Sequence, residues 1–250
     1  MTPRNILRLW ALRVSVPVLA AFLALGGNFA SAQTEIPTIT LGIDYHPTIQ
    51  SPWPLLKDTN TPLELVYIFW YGCGTCRRMD PSIDQFAKNL DPDVTFVKIP
   101  AMHAPNISWM THARLFYALD YLGVEKELHQ EVFVEVQDRG GMDDEGHRLA
   151  GLSNLDSMSS FAEKHGIKRE DFLAAYNSPE VEARMQSALA FIDNLDIPSV
   201  PAMAVDGRWA FTLQGAKGIG YFFQTAIKLL NDDREALAQG DTGADLASGD

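Results

Sequence analysis

Hydrophobic positions along this chain change period several times, and each change marks an element. Leu65 to Trp70 (LVYIFW) is a short, continuous apolar run rich in β-branched and aromatic residues, which predicts a strand covered on both faces. After Tyr71-Gly72, residues Cys76, Met79, Ile83, Phe86 and Leu90 recur at intervals of three and four, the stripe of an amphipathic helix. Pro81 falls inside that helix and predicts a kink, because it lacks an N–H and crowds the preceding turn. Val94 to Ile99 alternates as a second strand, with Val94, Phe96 and Lys98 on one face. Lys98 either points inward, which is costly without a partner, or carries its ammonium to water at the strand end.

From Met102 to Asp196 the pattern is helical. Trp109, Ala113, Phe116 and Tyr117 form one stripe, and Leu128, Val132 and Val136 form another. A glycine-rich charged stretch (DRGGMDDEGHR, 138 to 148) follows, then short helical patterns over Asp156 to His165 and Arg169 to Tyr176. Ser178 with Pro179 behind it is a helix start, ahead of a stripe of Val181, Met185, Ala188 and Ile192. Two short apolar segments joined by Asp206-Gly207 predict a hairpin. Ile219, Phe223, Ala226 and Leu230 predict a last helix, and the acidic, small-residue end from 231 to 250 is expected to fray.

The first 32 residues stand apart. Arg4, Arg8 and Arg13 precede an apolar run from Val14 to Leu25, and Ala30-Ser31-Ala32 is a small-residue cleavage pattern. This is the layout of an export signal cleaved after Ala32; the alternative is a retained anchor helix, weakened by Gly26, Gly27, Asn28 and Ser31. The leader holds three arginines and no acid, so its loss moves the formal charge from −12 to −15. That balance argues against nucleic-acid binding, which wants a basic face.

Only two cysteines occur, Cys73 and Cys76, three positions apart. Half of a metal site, two buried small hydrophobes or a redox pair would each use such a pair. A closed zinc site needs two more ligands, and no two of the six histidines lie at a short ligand spacing. Arg77 after Cys76 excludes the haem-attachment pattern. A chain this long builds a core without disulfide staples. The helical period puts Cys76 on the buried stripe and Cys73 at the helix mouth, where unpaired N–H groups and the helix dipole favour a thiolate. One outer and one inner thiol is the asymmetry that disulfide exchange uses. Arg77 and Arg78 add positive potential or simply face solvent. Thr75 either donates a hydrogen bond to the Cys73 sulfur or is a neutral spacer.

The order strand, CxxC, helix, strand, helical stretch, Val-Pro, hairpin, helix resembles the DsbA family of periplasmic thiol:disulfide oxidoreductases. The residues that carry it are YGCGTC at 71 to 76, SVPAMAVDGRW at 199 to 209 and LQG at 213 to 215. The resemblance implies an α/β, thioredoxin-like fold with an inserted all-helical domain. The expected parts are a signal peptide (1–32), a first thioredoxin-like part (33–101), the helical insertion (102–196), a second thioredoxin-like part (197–230) and a disordered tail (231–250). It further implies that Cys73 and Cys76 are catalytic, that Pro201 is a cis-proline facing them, and that Val200 offers its backbone to an extended substrate. Gly74 and Thr75 replace the family's usual Pro-His and are expected to tune the redox poise. Tyr67 occupies the place of a buried acid and Lys98 that of its partner, which makes both candidates for proton handling. The implied protein is a monomeric, cofactor-free periplasmic oxidase of reduced or unfolded exported proteins, reoxidised by a quinone-linked membrane partner of the DsbB kind. A reductase of the same fold, a peptide-binding chaperone with an idle CxxC, and a glutathione-linked enzyme of related topology are the alternatives.

Overall fold

The computed structural model describes residues 38–50, 61–102, 107–140, 151–213 and 218–240. The leader and its cleavage site, most of the 138–148 loop, residues 214 and 215 of the LQG motif, and the end of the chain beyond 240 lie outside them. Strand β1 (His46–Pro47) precedes β2 (Leu63–Phe69), helix α1 (Gly74–Lys88) and β3 (Val94–Pro100). Five helices follow: α2 (Ile107–Tyr121), α3 (Glu125–Asp138), α4 (Leu155–Lys164), α5 (Arg169–Tyr176) and α6 (Pro179–Leu195). The chain then returns as β4 (Ala202–Val205), β5 (Trp209–Thr212) and α7 (Ile219–Ala238).

These strands form one sheet in the order β1-β5-β4-β2-β3. β2 lies between β3, which runs parallel to it, and β4, which runs antiparallel. Every residue of β2 is buried, as its unbroken apolar run requires. The parallel β2–β3 pair is joined through α1, whose Cys76, Met79 and Ile83 face the core. α1 continues unbroken through Pro81. Its outer end meets α7 through stacked Phe86 and Phe223 rings, centroids 4.3 Å apart. This is the thioredoxin-like α/β fold, with helices α2 to α6 inserted between β3 and β4.

The helical segment is fastened to the sheet by rings. Phe69 at the end of β2 contacts Phe116 of α2 and His129 and Phe133 of α3, with centroids 5.7, 5.0 and 5.8 Å away. Truncating a buried phenylalanine such as Phe133 costs about 3–5 kcal/mol, a large share of a domain's net stability.

Local signals place most elements. Ser178 Oγ accepts from Val181 N at 3.1 Å and caps α6, with Pro179 in its first turn. Asp206 and Gly207 have φ of 49° and 61°, so the β4–β5 turn has both central residues left-handed, the geometry Asp-Gly favours. Two features differ from the sequence reading. β1 has only two residues, too few to show a period, and is fixed by pairing with β5 and by Tyr45 set edge-on to Trp209. Helix α7 runs to Ala238, past the 231 boundary where fraying was expected. There Asp233 is buried, and Arg234 pairs with Asp93 at 2.7 Å and Asp91 at 3.1 Å. No helix among the described residues is long and apolar enough to cross a membrane.

Candidate active site

The chain leaves β2 at Phe69 and turns into α1 over four residues. Cys73 N donates to the Trp70 carbonyl at 2.8 Å, closing the turn. Gly72 is needed in that turn, because a Cβ there would lie 2.3 Å from the Trp70 ring. Cys73 is the N-cap of α1, with extended backbone, and its Sγ accepts from Cys76 N at 3.1 Å. Cys73 and Cys76 are joined as a disulfide, with Cα atoms 5.2 Å apart. Cys73 is partly exposed and Cys76 fully buried. The first turn of α1 carries no acid, so nothing local opposes the positive helix terminus.

The neighbouring residues divide. Arg77 is held in a two-pronged pair by Asp138 of α3, at 2.8 and 2.7 Å, which compensates its charge. Arg78 Nη2 donates to Thr75 Oγ1 at 3.0 Å, which leaves the hydroxyl proton free for another acceptor. At Gly74 an added Cβ would meet only the end of Arg78, at 3.4 Å, so the position is not sterically bound to glycine.

The downstream motif arrives beside the thiols. The Val200–Pro201 peptide is cis, and Val200 O lies 3.7 Å from Cys73 Sγ. Leu213 N holds the Pro201 carbonyl at 3.1 Å. On the other side, Trp70 stacks on Trp109 of α2 at 4.9 Å. Its indole N–H donates to His112 Nδ1 at 3.2 Å. His112 is therefore neutral at Nδ1, with Nε2–H donating to the Gly151 carbonyl at 3.1 Å; burial pushes its pKa down. This pair of indoles was not singled out from the sequence, where Trp109 reads as an ordinary core position.

Around Asp80 of α1 lies a network that sequence reasoning placed only in part. Lys98 does point inward, and its Nζ is 2.8 Å from Asp80 and 2.7 Å from Asp84, both on α1. The buried acid is thus Asp80, not a residue at position 67. The Tyr67 hydroxyl is buried with no hydrogen-bond partner among the described residues, and burial, then the Asp80 charge, hold its phenol far above the normal range. Asp80 also accepts from Gln130 and from His129 Nε2, the latter at 3.1 Å. His129 Nδ1 faces Glu125 at 2.5 Å and the Tyr71 hydroxyl at 2.9 Å. Burial raises the Asp80 pKa, but hydrogen bonding and charge from His129 and Lys98 outweigh it and hold the carboxyl low. Burial likewise lowers His129, and its bonds to Asp80 and Glu125 reverse that to a net rise. Gln137, farther along α3, donates to the carbonyls of Tyr71 and Cys73, at 2.7 and 3.2 Å. Asp80 had one sequence signal, its place four residues after Cys76 on the buried stripe. His129 had none. No three His, Cys, Asp or Glu side chains among the described residues converge as a metal-ligand set.

No protein-family model matches the chain. It is 34% identical over 174 residues to the thiol:disulfide interchange protein DsbA of Azotobacter vinelandii, covering 70% of this chain and 76% of that protein. It is 29% identical over 219 residues to DsbA of Pseudomonas aeruginosa, covering 88% of this chain and 97% of that one. The crystal structure of Pseudomonas aeruginosa DsbA superposes with a TM-score of 0.69 at 30% identity, over 80% of this chain and 96% of the other. DsbA from Xylella fastidiosa gives a TM-score of 0.65 at 27% identity, over 77% and 96%.

Proposed function

Since this chain belongs to the DsbA family and is a thiol:disulfide oxidoreductase, we propose that it works as a disulfide donor to exported proteins. The observation that carries this reading is the unequal placement of the two sulfurs. Cys73 is partly open at a helix N-terminus, 3.7 Å from the Val200 carbonyl, and Cys76 is sealed behind it.

An incoming substrate thiolate attacks Cys73 Sγ. The Cys73–Cys76 bond breaks, its electron pair stays on Cys76 Sγ, and a mixed disulfide forms. A second substrate thiolate then attacks the substrate sulfur of that mixed disulfide. The substrate gains a disulfide, and Cys73 leaves as a thiolate. Two electrons pass from substrate to protein. The helix terminus and the Cys76 N–H favour the Cys73 anion, which makes it a good leaving group. The Val200 carbonyl beside Pro201 receives the backbone of an extended substrate, so any unfolded cysteine-containing chain fits without sequence recognition. Gly74 and Thr75 set the redox poise, and Lys98 acts with Asp80 in handling the proton of Cys76. The compartment is the periplasm, after cleavage following Ala32; the protein works as a monomer, without a bound cofactor. Reoxidation falls to a quinone-linked membrane partner of the DsbB kind.

The test mixes the oxidised protein with a reduced, unfolded protein of several cysteines, followed by thiol alkylation and mass analysis. One disulfide should appear in the substrate for each Cys73–Cys76 pair reduced. No transfer, or reaction only of the reduced form with substrate disulfides, would overturn the reading.

A further inference from the structure

The leaving step creates a problem that the thioredoxin-like half does not solve by itself. When Cys73 is attacked, the negative charge lands on Cys76, which is fully buried, and an unpaired buried anion is costly. A proton has to reach it. Asp80 is one helical turn farther along α1, also with no exposure. Side chains four apart on a helix have Cβ atoms about 5–6 Å apart, and each leans toward the N-terminus. Asp80 therefore covers the turn that carries Cys76. Yet Asp80 is itself held as a carboxylate by its neighbours, so it can pass on a proton only by receiving one.

We infer that His129, carried by the inserted helices, is a positioning residue for disulfide exchange: it stores the proton that Asp80 passes to the departing Cys76. The inference rests on the disulfide-donor reading above. Each ring nitrogen of His129 faces a carboxylate, Nδ1 toward Glu125 at 2.5 Å and Nε2 toward Asp80 at 3.1 Å. A neutral ring would turn a lone pair toward one of them, so the geometry calls for an N–H on both sides. The Tyr71 hydroxyl completes the arrangement by donating to Glu125 at 3.2 Å. The groups that face this site come from every element around it. They are Asp80 and Asp84 from α1, Tyr71 from the active-site turn, Lys98 from β3, and Glu125 and Gln130 from α3, with the rings of Phe69 and Phe133 otherwise. Imidazolium and ammonium then balance the two buried carboxylates, Asp80 and Glu125.

As the S–S bond breaks, Asp80 gives a proton to Cys76 Sγ and takes one from His129 Nε2. Cys76 becomes a neutral thiol and His129 a neutral imidazole whose Nε2 lone pair then faces the Asp80 carboxylate, an unfavourable contact that reprotonation removes. Water restores the imidazolium through a cavity of about 710 Å³ whose lining includes Asp80, Lys98, Glu125, His129 and Gln130. That space holds several waters at about 30 Å³ each. Glu180 and Arg184 of α6 line its far wall.

The experiment reacts the oxidised full-length protein in stopped flow with a thiol that is already ionised from pH 5 to 9. The wild-type rate should stay level and then fall as pH rises through the His129 pKa. In His129→Gln the break should vanish, and the neutral-pH rate should fall about a hundredfold, the low end for proton transfer by a positioned side chain. A residue with only a packing role would lower stability and leave the profile's shape alone. Superimposable profiles after scaling overturn the inference, while transfer by both proteins keeps the donor reading. Transfer by neither overturns the donor reading instead. A second measurement needs no variant: ¹⁵N spectra of the histidine rings in the wild-type protein. Both His129 nitrogens should be protonated at pH 7 in the oxidised state, with a pKa that changes on reduction. A neutral ring, or the same titration in both states, overturns the inference.

Discussion

Thr75→His should make this protein a stronger oxidant. Oxidising power comes from stabilising the reduced form, chiefly the Cys73 thiolate. In the structure that sulfur has the Cys76 N–H at 3.1 Å and the open N-terminus of a 15-residue helix. Of the two cations near it on α1, Arg77 is paired with Asp138, while Arg78 keeps its charge and turns its guanidinium to the neutral Thr75 Oγ1. A helix terminus contributes about 0.3–1 kcal/mol to a nearby exposed anion, and up to about 2 when partly buried. A histidine between the cysteines adds a charge-assisted contact worth roughly 1.5–3 kcal/mol. For a two-electron couple about 30 mV corresponds to 1.4 kcal/mol, so the potential should rise by roughly 30–60 mV. Space is available, because the side chain at 75 lies on the partly exposed rim and displaces only the Arg78 contact. The assay equilibrates wild type and variant in glutathione buffers of graded ratio, traps free thiols by alkylation, and fits the reduced fraction. An unchanged or lower potential would refute the reasoning and place control of the redox poise outside the dipeptide.

Cys76→Ala should accumulate mixed disulfides on non-reducing gels when its Cys73 thiolate attacks substrate proteins that carry a disulfide, and Cys73→Ala essentially none; equal trapping by both would remove the outer and inner roles. Asp206 gives a stability prediction. Burial, and then the neighbouring Asp233 carboxyl, push its pKa up to about 8 against the lowering effect of its bond from Glu64 N. A carboxyl raised in the fold stabilises it most below the unfolded value and loses that contribution as pH rises toward the folded one. Asp206→Asn keeps an acceptor for Glu64 N, tolerates the left-handed backbone, and carries no charge to suppress. It should match wild type at pH 4 and gain on it toward pH 8, by at most about 1.4 kcal/mol per pH unit, read from urea unfolding. A gain that does not depend on pH would sink the buried-carboxyl explanation.

Much of the site was legible because its signals are local. The helical period from Cys76 to Leu90 sets one cysteine inside and one at the mouth, whatever the rest of the chain does. Ser178-Pro179 and Asp206-Gly207 act through backbone angles and one nearby hydrogen bond, and both stand where the sequence puts them. The Val-Pro step needed the family resemblance to be linked with a disulfide 127 residues away. Tertiary structure alone decided the ionisation chemistry. Tyr67 fills the position where an acid was sought and holds its phenol proton, whereas Asp80 takes the lysine. His129, 49 residues from Asp80, sits beside it because α3 packs against α1. Asp206 reads as a turn residue, and becomes a buried acid only when α7 brings Asp233 to it. The end of α7 follows the same rule: its acidity predicts fraying until Arg234 meets Asp91 and Asp93. Periodicity and turn chemistry are properties of neighbouring residues and survive in the bare sequence. The charge state of a buried group depends on which distant charges surround it, and only the folded chain supplies those.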